Sequence, residues 1–389
     1  MIDFGEVKDF ITIRAVRFFL RVFYIFPVNS KKIYFSSYEG KQFSCNPKYI
    51  FLKLKDLKKS ELNYVYEYNG RNLPVELQKE VKIVKHNSFQ YIVEIMTSKV
   101  IITNSGLTPK IPLRKSQILI NTWHGGGAYK KSGKDLDREK NGSGKYYIEL
   151  SERQTSYFLT NSQQFTQIIH SALGIELTKM INSGSPRNDL FFSCDKKNHI
   201  HKAAIQSAFN LKNNSKLVLY APTYRGKVGN VEKDPYESLD ISLLLNTLHN
   251  KFGGTWMLLY RGHYFNPVSK HNNGSIDVST YPDMQQLLCV IDVLITDYSS
   301  SIWDFSFTDK PAFLFVPDLE AYINDRDFYV PIDQWPYNYA RNNLELQDII
   351  QQYDPILQKQ KNKKHHEMFK SYETGKATEM VVDLVLQNI

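Results

Sequence analysis

Val293-Leu-Ile-Thr-Asp-Tyr-Ser-Ser-Ser-Ile-Trp-Asp304 starts as a short apolar run, breaks at Asp297 and passes through three serines into an amphipathic pattern. That order reads as a buried strand turning into a helix. Free backbone N–H groups and the positive end of the helix dipole would gather an anion there, with Ser299, Ser300 and Ser301 adding hydroxyl donors. Asp297 would hold a hydroxyl or orient a neighbouring base, and Asp304 reads as a helix residue facing solvent. Three further apolar runs end in the same kind of polar turn. Ile118 to Asn121 leads into Thr122-Trp-His-Gly-Gly-Gly127 with Lys130 and Lys131 beyond; Leu217 to Tyr220 leads to Thr223 and Arg225; Met257 to Tyr260 leads to Arg261-Gly-His263. In an open α/β sheet ligands bind beyond the carboxyl ends of the strands, so these turns are expected to face one cleft. The set describes a site for an anionic, phosphate-bearing molecule with histidines at hand for proton transfer.

Outward from these turns the chain alternates. Apolar runs at Ile33 to Phe35, Tyr64 to Tyr66, Val81 to Val84, Val100 to Thr103, Ile118 to Asn121 and Tyr157 to Thr160 are separated by helical patterns such as Gln90 to Thr97 and Phe165 to Leu173. Beyond a polar stretch at Phe192 to His199, read as a linker, the pattern resumes at Leu217 to Tyr220, Trp256 to Tyr260, Val293 to Thr296 and Ala312 to Val316. Such alternation marks βαβ units and parallel sheets. The expected division is a terminal segment, 1–29, a first domain, 30–192, and a second, 193–389, whose helices from Leu344 onward would pack back across the junction. No internal sequence repeat stands out. The Gly184 to Asp189 turn is read as structural, with Arg187 and Asn188 supporting the cleft walls.

A length of 389 residues exceeds one ordinary core, which favours two domains. With 42% hydrophobic and 23% charged residues the chain has the balance of a globular protein, not of a disordered or membrane-spanning one. A formal net charge of +9 implies anionic partners without choosing among nucleic acid, phosphate-rich substrate and membrane. Cys45, Cys194 and Cys289 are too scattered for a metal knuckle, and their odd number argues against a disulfide framework, which fits a reducing cytoplasm. Neither a secretory signal nor an apolar stretch of about 20 residues is evident, so membrane contact would be peripheral, at the cytoplasmic face. Phe10 to Pro27 suits it: Arg14, Arg17 and Arg21 recur at helical spacing among bulky apolar side chains. The competing reading is a terminal helix packed on the protein's own core. Lys359 to Lys364 with His365 and His366 reads as the solvated face of a late helix.

The set Trp123-His-Gly, Ser183-Gly-Ser-Pro-Arg-Asn-Asp189, Ala221-Pro-Thr-Tyr-Arg225, Arg261-Gly-His263 and Thr296-Asp-Tyr-Ser-Ser300 with Asp304-Phe305 resembles the CDP-glycerol glycerophosphotransferases that prime and polymerise teichoic acids. The likeness runs in the same order from about Asn121 to Tyr329. It implies a GT-B-like α/β fold of two Rossmann-like domains facing a central cleft, flanked by the N-terminal amphipathic helix and C-terminal helices. It also implies a CDP-polyol donor and a lipid-linked glycan acceptor at the membrane, with CMP released. In that setting His124 is the expected general base, and His263 would bind the pyrophosphate or protonate the departing CMP. Arg261, Arg225, Thr223 and the three serines would grip phosphate oxygens. Gly125 and Gly126 would leave room for the acceptor, beside Lys130.

Departures from the family pattern fall on the loops that would touch polyol or acceptor: Gly125-Gly126-Gly127-Ala128-Tyr129 before Lys130, Tyr264 after His263, Arg326-Asp-Phe328, and the stretch Trp335 to Asn342. They leave glycerol and ribitol phosphate both open as the transferred group. The spaced aspartates Asp135 with Asp137 and Asp325 with Asp327 read as solvated loop charges, so no metal cofactor is expected and cationic side chains with N–H groups would stabilise the phosphates. The alternative readings are a GT-B glycosyltransferase using a nucleotide sugar, and a non-catalytic polyanion binder. No aromatic-basic module for nucleic acid is visible.

Overall fold

The computed structural model describes residues 4–127, 129–135, 145–212, 214–223, 226–227, 230–231, 235–262 and 274–389. The chain forms two compact units: Met1–Gly125, Lys131–Asp189 and Lys370–Ile389 make the first, Gly126–Lys130 and Leu190–Phe369 the second.

The first unit is built on a seven-stranded sheet of β1 (Asn29–Ser36), β2 (Asn63–Glu67), β3 (Val81–Val84), β4 (Ser98–Thr103), β5 (Ile118–Asn121), β6 (Tyr157–Thr160) and β7 (Met180–Asn182), ordered β3-β2-β1-β4-β5-β6-β7. All neighbours are parallel, with Phe35 opposite Tyr66 on one side and Ile102 on the other. Helices cover both faces of such a sheet, and its strands therefore read as near-continuous apolar runs. Ile33, Phe35, Tyr64, Tyr66, Val100 and Ile102 bury against one layer, Tyr34, Val65, Ile101 and Leu119 against the other. The helices start where serine side chains take up orphan N–H groups: Ser88 Oγ accepts from Tyr91 N at 3.1 Å and Ser162 Oγ from Phe165 N at 3.0 Å.

The second unit repeats the design. β8 (Lys216–Ala221), β11 (Trp256–Tyr260), β12 (Ser275–Asp277), β13 (Val293–Thr296), β14 (Ala312–Phe315) and β15 (Tyr339–Ala340) form a parallel sheet ordered β12-β11-β8-β13-β14-β15, beside a two-stranded antiparallel pair, β9 (Gly226–Lys227) and β10 (Asn230–Val231). Val218, Tyr220, Leu258, Ile295 and Phe313 lie at the centre of its core. In both sheets the order reverses beside the first strand, between β1 and β4 and between β8 and β13. That switch point is where an open parallel sheet offers a crevice to a ligand.

Three expectations are corrected. The polar stretch Phe192 to His199 is no linker: it closes a 3-10 segment, Pro186–Ser193, and opens a helix, Cys194–Phe209. The unit boundary lies at Asp189, whose carboxylate caps the helix Ala377–Gln387 by accepting Ala377 N at 3.0 Å and Thr378 N at 2.7 Å. Val381, Val382 and Val385 of that helix sit in the first unit's core, which draws Lys370–Ile389 away from the second. Cys289 is disulfide-bonded, while Cys45 is a buried free thiol; spacing along a chain does not reveal which helices meet.

The N-terminal helix, Phe4–Leu20, packs one face on the protein and leaves bulky apolar side chains exposed on another. Ile13 is buried and Arg17 Nη1 donates to Pro109 O and Gln154 Oε1, each at 2.6 Å. Phe18 and Phe19 are each 71% exposed, and Ile25 in the following turn is 75% exposed. Among the described residues no helix is long and apolar enough to cross a membrane.

Candidate functional site

At the first unit's switch point, Thr103 ends β4 and Asn104 follows, fully buried. Asn104 Oδ1 accepts the N–H of Tyr38, two residues beyond β1, at 2.8 Å. The Asn104 carbonyl accepts Nδ1–H of His124 at 2.6 Å. A ring that donates from Nδ1 carries its lone pair on Nε2, the form a general base requires. The ring is exposed, stacked on Trp123 at 5.1 Å between centroids and edge-on to Tyr38 at 5.5 Å. Asn46 Nδ2 fixes the loop by donating to the carbonyls of Thr122 and Trp123, both at 3.0 Å.

Two of the glycines after His124 are required by close packing. A Cβ on Gly126 would lie 2.4 Å from Trp303 Cδ1, and Gly127 has φ +69° with the Tyr129 ring where a side chain would go. Gly126 and Gly127 thus have the protein's own rings where a side chain would go, while Gly125 stays half-buried. Tyr129 is buried against Trp335 and Phe369, and its hydroxyl meets His365 Nε2 at 2.8 Å. Lys130 pairs with Phe328 in an antiparallel bridge. Gly126 and Lys130, expected on the acceptor side, therefore belong to the second unit.

The second unit's switch point has the same plan with a charge added. Asp297, fully buried, follows Thr296 at the end of β13, and both its oxygens accept the N–H of Thr223 at 2.9 Å, two residues beyond β8. The Thr223 hydroxyl donates to Oδ2 at 3.0 Å. Asp297 thereby ties the loop after β8 to the end of β13. Ser301 is buried and donates to Ser299 Oγ at 3.0 Å, which leaves Ser299 and Ser300 as the half-exposed members of the serine turn. Arg261 is half-buried; its Nη1 reaches Val278 O at 3.4 Å and Tyr281 O at 2.5 Å, holding the turn after β12. His263 and Arg225 lie outside the described residues.

Two further expectations fail. Asp304 is buried and accepts from Gln285 Nε2 at 3.2 Å, because its helix presents that face to the core. His365 is buried too and His366 half-buried: the helix Pro355–Phe369 turns Gln358, Asn362, His365 and Phe369 inward and most of its lysines outward. Burial holds the His365 imidazole down at about 3 and that of His366 at about 4, so both are neutral.

Arg187 and Asn188 are both buried and tied to the first unit's own residues. Arg187, 2% exposed, donates its N–H to Asn46 Oδ1 at 3.1 Å, and Asn188 Nδ2 donates to Glu373 Oε1 at 2.8 Å. Through Asn46, Arg187 supports the loop that carries His124. Among the described residues no cluster of three or more His, Cys, Asp or Glu side chains could hold a metal ion.

The chain matches the family model described as CDP-Glycerol:Poly(glycerophosphate) glycerophosphotransferase over residues 18–387. The chain belongs to this family. It is accordingly an enzyme of the glycerophosphotransferase type, with a donor of the CDP-glycerol class. It is 28% identical over 386 residues to the teichoic acid poly(glycerol phosphate) polymerase of Bacillus spizizenii, covering 96% of each chain, and 25% identical to the teichoic acid ribitol-phosphate primase of the same organism, covering 93% of this chain and 92% of that one. Against the Staphylococcus epidermidis poly(glycerol phosphate) polymerase, at 29% identity, it spans 51% of the relative's length. In fold it is similar to solved structures of the wall teichoic acid polymerase TagF, one of them soaked with CDPG, with a TM-score of 0.80 over 99% of this chain and 96% of that chain at 24% identity. The expected two-domain α/β architecture of GT-B type is therefore present.

Proposed function

We propose that this glycerophosphotransferase moves glycerol phosphate from CDP-glycerol onto a hydroxyl of a lipid-linked or cell-envelope glycan and releases CMP. His124 Nε2 takes the proton of the attacking hydroxyl; the new bond forms at the phosphorus that bears the glycerol, and the bond from that phosphorus to the CMP oxygen breaks. The observation that carries this reading is the His124 ring, oriented by the Asn104 carbonyl and exposed at the end of a parallel sheet. In the second unit Ser299, Ser300 and Arg261 are the donors assigned to the diphosphate, joined by Arg225 and His263 from the sequence pattern; Thr223 gives its own N–H and hydroxyl to Asp297 and shapes the turn between them. His263 would return a proton to the leaving phosphate. No metal ion is assigned a part, and turnover is expected to persist in EDTA; loss restored by magnesium would reverse that assignment.

The apolar face of Phe18, Phe19 and Ile25 beside Arg14 and Arg21 supports peripheral seating on an anionic leaflet. Burying one such side chain contributes about 2 kcal/mol. Replacing all three by serine is expected to abolish sedimentation with vesicles containing phosphatidylglycerol and to leave turnover of a soluble acceptor unchanged.

The deciding measurement is CMP release by the purified protein given CDP-glycerol or CDP-ribitol with membranes as acceptor. Faster release from CDP-ribitol would replace glycerol by ribitol in this reading. Release of a nucleoside diphosphate from a nucleotide sugar would replace the reaction itself.

A further inference from the structure

We propose that Asn104 and Tyr38 are positioning residues that set the angle and tautomer of the His124 ring. The inference rests on His124 being the base, and adds how the fold presents it.

Tyr38 and Glu39 follow β1 with φ of 49° and 56°, and Trp123, directly before His124, has φ 51°. Left-handed backbone is unfavourable for any residue with a Cβ, so its presence on both sides of one imidazole needs a return elsewhere. The return is visible in the contacts. Two aromatic rings box the imidazole, Trp123 flat against it and Tyr38 edge-on, and the N–H of Tyr38 is tied to Asn104 Oδ1. One buried residue thus grips both parts: its side chain holds the Tyr38 loop and its main chain holds His124 Nδ1.

A carboxylate could accept from Tyr38 equally well, as Asp297 accepts from Thr223 at the matching place in the second unit. At Asn104 an amide is kept although its Nδ2 has no hydrogen-bond partner among the described residues, an arrangement unfavourable to folding. The amide supplies the same geometry without a negative charge, which would favour imidazolium and weaken the base.

The test uses Asn104→Asp, Tyr38→Ala and Tyr38→Phe. The ¹⁵N-detected titration of His124 in the intact protein should move upward by about one pH unit in Asn104→Asp. Tyr38→Ala should lower kcat for CMP release by at least about tenfold with KM for CDP-glycerol unchanged, and Tyr38→Phe, which keeps the ring, should recover most of that loss. An unmoved titration in Asn104→Asp with kcat of Tyr38→Ala within twofold of the parent would overturn the proposal. So would an equal loss in Tyr38→Phe and Tyr38→Ala. His124→Ala separates the two ideas: normal turnover there removes the base assignment, whereas the titration of Asn104→Asp reports on ring positioning alone.

Discussion

The two switch points are built alike and charged differently. Ile102-Thr-Asn104 closes β4 and Ile295-Thr-Asp297 closes β13; each terminal residue is fully buried and accepts the N–H of the residue two beyond the unit's first strand, Tyr38 in one and Thr223 in the other. In the first unit the bridging group is neutral and a proton-carrying ring is displayed beside it. In the second the bridge is a buried carboxylate that accepts both the N–H and the hydroxyl of Thr223. With His124 as the proposed base, the same scaffold would support chemistry in one copy and loop-shaping in the other, so damage at the two places should register differently.

The largest difference is expected in turnover. His124→Ala should cut CMP release by about 10² to 10⁴-fold while leaving the thermal unfolding curve near that of the parent, since it removes an exposed ring. Asp297→Ala strands the Thr223 N–H and hydroxyl instead. It should lower unfolding free energy by about 1 to 3 kcal/mol and raise the donor KM more than it lowers kcat. If Asp297→Ala costs kcat as much as His124→Ala does, the division of labour between the units is wrong.

Acid should find the second unit first. His365 and His366 are held near 3 and 4 by burial, against an ordinary value of about 6.5 in the unfolded chain. A depressed imidazole binds fewer protons folded than unfolded, so stability is present above about pH 6.5 and falls as pH drops below it. At pH 5 the loss is on the order of 2 kcal/mol for each ring. Acid unfolding followed by Trp303 and Trp335 fluorescence should shift to lower pH in His366→Gln, whose Nε2 can still meet Ser306 Oγ as the histidine does at 2.7 Å. An unshifted midpoint would mean that the pair is not buried as described.

Much of this is legible in sequence, and the gaps have a pattern. Every strand of four or more apolar residues announces itself, as do the turns at His124 and Asp297, because a continuous apolar run that stops at polar residues has little choice but to be buried up to that point. β7, β12 and β15 span two or three residues and carry no periodicity to read. Asn104 gives no such sign, because a lone polar residue after a strand reads as loop. The available signal is the echo between Ile102-Thr-Asn104 and Ile295-Thr-Asp297, a local repeat too short to register as one. His365 and His366 are hidden by their lysine neighbours, since composition cannot say which face of a helix turns inward.

The smallest expected effect has the opposite sign in pH and belongs to the first unit. Glu152 is pushed up to about 7 by burial, with Lys179 and Lys134 offsetting only part of it, and its Oε2 has no hydrogen-bond partner among the described residues. Asp297 shows what satisfaction looks like for a buried acid; Glu152 lacks it. With a folded value above that of the unfolded chain, the protonated carboxyl contributes stability that is full below about pH 4.5 and lost as pH rises through 7. Glu152→Gln keeps the shape and removes the ionisation, so it should stabilise the protein at pH 8 by about 1 to 3 kcal/mol and change little at pH 4.5. Denaturant unfolding of parent and variant at the two pH values checks this. A gain of equal size at both would assign the effect to hydrogen bonding by the new amide and not to the acid's ionisation, and the contrast between the units would then rest on the histidines alone.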